Sequence, residues 1–123
     1  MYTLDTNAIL YYVAGDQSVR ELVDEALLAN APLYVSAITV AELLIFPKLS
    51  PEEEGGIRKF LSICSIILLD FSLADRAGSI GREYHLELAD SIIAATALFT
   101  GSTLVTRNMR DFRRVPSLAL QGI

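Results

Sequence analysis

The chain has 123 residues, is 52% hydrophobic and carries a formal net charge of −5. That length suits one domain spanning residues 1–123, with a core large enough to need neither disulfides nor a structural metal. The lone Cys64 excludes an intramolecular disulfide, no apolar run approaches the ~20 residues that cross a bilayer, and the N-terminus lacks the basic-then-apolar pattern of a signal peptide, so a soluble cytoplasmic protein is expected.

In chain order, the sequence alternates strands and helices without repeats or linkers. "YTLD" is a short apolar strand ending in Asp5, and a helix follows from Asn7 toward Val13. "DQSVRELVDEALLANA" carries Val19, Leu22, Val23, Ala26 and Leu27 at helical spacing and stops before Pro32. "PLYVS" reads as a strand and "ITVAELLIF" as a helix closed by Pro47, with Glu42 placed on its first turn. In "SPEEEGGIRKFLSIC", Ser50 caps a helix, Pro51 takes its first position and three glutamates face the positive end of the dipole, while Gly55 and Gly56 weaken its middle.

"SIILLDF" is expected to be a buried strand. Ser72, with Asp75 three residues on, forms a capping-box pattern for the helix "SLADRAGSIGREYHL", which leaves Asp70 as a turn residue. "ADSIIAATALFTG" is apolar nearly all round, so this helix should be buried, with Gly101 as its stop. "STLVT" is a strand and "SLALQGI" a last one. Strands alternating with helices imply an α/β fold with parallel pairing and helices on both faces of the sheet.

In such sheets ligands bind beyond the carboxyl ends of the strands. Asp5, Glu42, Asp90 and Asp111 can all reach that end. Each also has an ordinary structural use: Asp5 or Asn7 as a helix cap, Thr39–Glu42 as a capping box, Asp90 as a cap, Asp111 as an arginine partner. Asp90 is the least comfortable of them, because it opens a helix that must be covered, and a buried carboxylate is costly unless paired or metal-bound. Four converging carboxylates would raise one another's pKa values. An oxygen-only donor set favours Mg²⁺ or Mn²⁺ over zinc. His85, the only histidine, and Cys64 read as structural, and there is no glycine-rich phosphate loop.

The acidic balance argues against a nucleic-acid partner, but Arg107, Arg110, Arg113 and Arg114 crowd one window near the C-terminus and offer contacts to phosphates. The segment holding Leu44, Ile45, Phe46 and Leu49 cannot turn every apolar side chain inward if Glu42 faces the acids. It is the expected place for the apolar face of a partner helix.

In order, "LDTN", "SAITVAELL", "LADSIIAATAL" and "TLVTRNMRDF" resemble the motifs of PIN-domain ribonucleases, and among these the toxin subunits of VapBC-type toxin–antitoxin pairs. The resemblance covers nearly the whole chain. It implies a PIN-like α/β/α sandwich around a five-stranded parallel sheet, and hydrolysis of RNA with Mg²⁺ or Mn²⁺. It further implies a homodimer and a small antitoxin protein that blocks the site. It assigns Asp5, Glu42, Asp90 and Asp111 to catalysis and metal binding, with Thr6, Asn7, Thr106 and Asn108 in support. Two rivals remain at the level of sequence. A haloacid-dehalogenase-like phosphatase needs a second acid two positions after the first, where Asn7 stands. A PIN-like module could bind RNA or protein without cutting.

Overall fold

A computed structural model describes residues 1–123. Five parallel strands form one sheet: β1 (Tyr2–Leu4), β2 (Leu33–Ser36), β3 (Ser65–Ile67), β4 (Thr103–Thr106) and β5 (Leu120–Gly122), in the order β3-β2-β1-β4-β5. Seven helices lie between them: α1 (Thr6–Ala14), α2 (Gln17–Leu28), α3 (Ala37–Leu44), α4 (Pro51–Leu61), α5 (Phe71–Tyr84), α6 (Leu88–Thr100) and α7 (Met109–Phe112). This is the α/β/α sandwich with a five-stranded sheet that the sequence led us to expect.

The strands send alternate side chains to opposite faces, and each face has its own core. Leu4, Val35 and Val105 pack with Ile9, Val23, Ile57 and Phe60 from α1, α2 and α4. Leu104 packs on the other side with Leu73, Ile80, Ile93 and Phe112 from α5, α6 and α7. Helix α6 is buried without interruption from Ser91 to Ala97, as its sequence demands, and Gly101 ends it in the left-handed region at φ 65°.

Local signals account for most boundaries. Ser50 and Glu53 form a reciprocal capping box on α4, which continues through both of its glycines. Three expectations need correction. "SIILLDF" is not a buried strand: β3 is only Ser65–Ile67, lies at the sheet edge with β2 as its sole neighbour, and leaves Leu68 and Phe71 75% and 88% exposed. Helix α5 is capped by Asp70, which accepts from the Leu73 N–H at 2.9 Å, rather than by Ser72. Thr39 and Glu42 form no capping box, because α3 starts earlier, at Ala37, with Ser36 as its cap; Glu42 therefore sits on the second turn.

Because β1 pairs with β2 on one side and β4 on the other, the chain changes direction of winding beside β1. That is the switch point where the carboxyl ends of neighbouring strands leave a crevice. No helix is long and apolar enough to cross a membrane.

The tightest packing on the second face joins α5 and α6. A Cβ on Gly81 would stand 2.6 Å from Ser91 Oγ, which is itself fixed by a 2.8 Å bond to the Glu87 carbonyl. Gly81→Ala should therefore cost about 1–3 kcal/mol, the usual penalty of overpacking. The loss should shrink in a Ser91→Ala background, as read by urea unfolding of all four proteins. An equal cost in both backgrounds would mean that Ser91 is not the obstacle.

Candidate functional site

The crevice beside β1 is a cleft of about 330 Å³ lined by Asp5, Thr6, Asn7, Glu42, Asp90 and Asn108, with Leu10, Ile45, Phe46 and Ile93 as apolar walls. Residues from four separate segments meet there for reasons that are local to each. The Asp5 N–H donates to the Val105 carbonyl at 3.3 Å, which extends the β1–β4 pairing by one step and sets Asp5 beside the end of β4. Its Oδ1 accepts from the Ala8 N–H at 2.7 Å, capping α1. Asp5 thus has the capping use that the sequence allowed, and lines the cleft as well.

Glu42 reaches the same place from α3. Its Oε1 accepts from the Thr6 hydroxyl at 2.6 Å, so Thr6 acts directly on a cleft carboxylate. Asp90 lies in the first turn of α6, where Glu87, not Asp90, occupies the cap position. No hydrogen bond or ion pair balances its charge.

Asp111 stands behind the others on α7. Its Oδ2 accepts from Asn108 Nδ2 at 3.0 Å and its Oδ1 faces Arg114 Nη2 at 3.0 Å. Asn108 belongs to the lining, and its N–H donates to Thr106 Oγ1 at 2.9 Å, so Thr106 positions Asn108 and Asn108 positions Asp111.

The electrostatics follow from this arrangement. Burial pushes the Asp5 carboxyl up; the Thr106 hydroxyl and the Ala8 N–H pull against that, and the charge on Glu42 adds to the rise. Asp90 is pushed up to about 6, first by desolvation and then by Asp111, Asp5, Glu42 and Glu87 in turn. All four expected acids therefore share one field, and Glu87 joins them unforeseen. They do not form a tight cage: no group of three or more Asp, Glu, His or Cys side chains is placed to hold a metal ion directly. Asp5, Glu42 and Asp111 each turn to donors of the chain itself. What fits the donor set is a hard cation that keeps much of its water shell, as Mg²⁺ commonly does.

The arginines divide. Arg107 pairs with Asp16 at 2.7 Å and lies over the Tyr11 ring, and Arg114 is taken by Asp111 and the His85 carbonyl. Arg110 and Arg113 are exposed and make no ion pair. Tyr11 and Asp16 escaped the sequence reading; the one available signal was that Tyr11 stands four residues after Asn7 and shares its helix face. His85 closes α5 at φ 57° and is structural, as expected. Cys64 is half-buried, with burial pushing its thiol up to about 12, so it is inert.

Ile45 and Phe46 are exposed at 75% and 49%, whereas Leu44 and Leu49 are half-buried against the core. Phe46 and Leu10 also line a second, mainly apolar groove of about 430 Å³ with Val13, Leu49 and Ile57, so groove and acidic cleft adjoin across these two side chains.

Residues 2–118 match the PIN domain family. The chain is 30% identical to Ribonuclease VapC2 of Rickettsia felis, covering 99% of this chain and 97% of that protein. It is 26% identical to the tRNA(fMet)-specific endonuclease VapC of Salmonella typhimurium, covering 98% and 96%. A toxin–antitoxin complex from Klebsiella pneumoniae contains a chain of similar structure, with a TM-score of 0.79 at 32% identity over 97% of this chain and 96% of that one.

The raised Asp90 carboxyl has a signed consequence. Its folded-state pKa lies above its ordinary value, so the folded protein holds that proton more tightly than the unfolded chain does. The associated stability is complete below pH ~4 and is lost as pH rises through about 6. In metal-free buffer, the melting temperature of Asp90→Asn minus that of the native protein should grow between pH 5 and pH 7.5. A difference that stays constant over that range would show that burial and the neighbouring acids do not raise Asp90.

Proposed function

This chain belongs to the PIN domain family, and from that premise we propose that it is a divalent-metal-dependent endoribonuclease, the toxin of a toxin–antitoxin pair. The observation that carries the proposal is Asp90: a half-buried carboxylate without any partner, in a cleft it shares with Asp5 and Glu42, with Asp111 close behind, where burial and then these neighbours raise it to about 6. A capping or surface role would leave that charge in water or on a donor.

Asp5, Glu42 and Asp90 would hold Mg²⁺ or Mn²⁺, directly or through water, with Asp111 completing the field. Such an ion supplies activated water and offsets charge building on the phosphoryl oxygens. The chain's own groups do the positioning. Thr6 fixes Glu42, the Ala8 N–H fixes Asp5, and Thr106 orients Asn108, which orients Asp111. Asn7, at the mouth, and Asn108 offer amides to water or to the strand being cut. Arg107, Arg110, Arg113 and Arg114 lie on the segment that follows β4 beside the site, and there they would meet the RNA backbone.

Asp90→Asn should fold normally and lose cleavage of single-stranded RNA by at least the roughly 10–100-fold that follows loss of groups supporting a metal. The native protein should gain melting temperature on titration with Mg²⁺ or Mn²⁺. The gain corresponds to about 2.7 kcal/mol at 100 times the dissociation constant, and should diminish in Asp5→Asn and Glu42→Gln. Cleavage by Asp90→Asn at the native rate would sink the assignment. A stable native protein that shows no chelator-sensitive cleavage would instead be a binding module.

The same proposal includes two protein partners. One is a second copy of the chain, for which the exposed Leu68, Phe71 and Phe99 leave apolar area to cover. The other is a small antitoxin whose helix would lay an apolar face in the groove at Phe46, Leu10 and Leu49 and extend a basic side chain into the acids. Co-expression with such a partner should give a complex without nuclease activity. Phe46→Asp should release the partner while the isolated protein stays folded. A complex that survives this substitution with inhibition intact would place the interface elsewhere.

A further inference from the structure

Arg107 directly follows β4 and precedes Asn108, a residue of the cleft wall. Its guanidinium lies 3.9 Å from the centre of the Tyr11 ring, and its Nη2 donates to Asp16 Oδ2 at 2.7 Å. Tyr11 sits one helical turn beyond Asn7, so the stack stands at the rim of the same cleft. The gripping carboxylate is itself immobilised. Its other oxygen, Oδ1, caps α2 by accepting from the Ser18 N–H at 3.1 Å and the Ser18 hydroxyl at 2.6 Å. The Ser18 hydroxyl, against a smaller desolvation effect, and then Arg107 hold the Asp16 carboxyl below its usual range, so it is ionised at neutral pH.

An arginine on a protein surface normally gives up much rotamer freedom when it binds a ligand. Arg107 has already given it up. A guanidinium carries five N–H donors in a rigid fork, and the carboxylate engages it through Nη2, which leaves donors for a phosphate. Arg110 and Arg113 have the opposite character, with charge available but no contact that fixes its position.

We propose that Tyr11 and Asp16 are positioning residues that pre-set Arg107 as a phosphate contact for the RNA strand entering the acidic cleft. This rests on the ribonuclease function proposed above. A cleft of uncompensated carboxylates repels a polyanion, so a cation fixed at its rim does more for entry than one that must first be ordered. Tyr11 supplies a face that confines the guanidinium plane, and Asp16 sets its rotation.

The test measures binding of a labelled single-stranded RNA to metal-free protein, where no cleavage interferes, beside kcat and KM in Mg²⁺ and the melting temperature. Arg107→Gln should weaken binding and flatten the log–log salt dependence by about 0.7, the value of one single-strand phosphate contact. Tyr11→Leu should weaken binding about two- to fivefold, as expected for loss of an exposed cation–π contact, and Asp16→Asn should act in the same direction; tighter binding by Asp16→Asn would show that Asp16 merely neutralises Arg107 and would overturn the proposal. Both variants should raise KM by the same factor and leave kcat unchanged. Tyr11→Phe keeps the ring and should match the native protein; Asn at position 16 still caps α2. If Tyr11→Leu and Asp16→Asn lower only the melting temperature and leave affinity, salt slope and KM untouched, the contact is merely a staple between α1 and the segment after β4, and the proposal is overturned. A native protein that neither binds nor cuts RNA overturns the ribonuclease function, and this inference with it.

Discussion

Negative charge gathered at the carboxyl ends of β1 and β4, in a cleft partly closed to water, is the constraint on which the rest of the site depends. The sheet order creates it: β1 has a parallel neighbour on each side, and the helices leaving those strands diverge and open the crevice. Into that crevice the chain sends Asp5, Glu42 and Asp90, with Asp111 close behind. The basic side chains nearest to hand are already committed, Arg114 to Asp111 and Arg107 to Asp16. One of the four acids therefore has an ionic partner within the chain, and the other three do not. Asp5 and Glu42 are eased by an N–H and a hydroxyl. Asp90 has neither; burial first, and then the charges of its neighbours, push its carboxyl up. Charge of the opposite sign from outside the chain is what the fold lacks.

Much of this was legible in the sequence because the signals were local. The apolar run Ser91–Ala97 could only be a covered helix, Ser50–Glu53 could only be a start, and an acid at the end of an apolar first strand points at the functional edge of a parallel sheet. What could not be read depended on the fold as a whole. "SIILLDF" has the composition of a central strand, but centre or edge is decided by strand order, and β3 falls at the edge. Asp70 and Ser72 are both good caps two residues apart, and only the backbone path into α5 chooses between them. Thr39 and Glu42 have capping-box spacing, but Ser36 starts α3 first and frees Glu42 to turn toward Thr6. The Arg107–Asp16 pair joins residues 91 apart, beyond the reach of any local pattern.

The same imbalance links the events proposed for this cleft. An RNA strand brings further negative charge, so its approach to Asp90 is unfavourable until a divalent cation shares the site; substrate and metal should therefore support each other's binding. A basic side chain from a partner would offset the same charge without supplying the chemistry. The groove adjoins the acidic cleft across Phe46 and Leu10, so a helix seated there on apolar contacts would bring a neighbouring polar residue toward the carboxylates. On the function proposed, catalysis and inhibition would draw on one electrostatic deficit. A substitution that neutralises Asp90 would lessen that deficit, and with it the attraction for metal and for an inhibiting cation alike. One at Phe46 would remove the apolar anchor of the inhibitor and leave all four carboxylates in the chain.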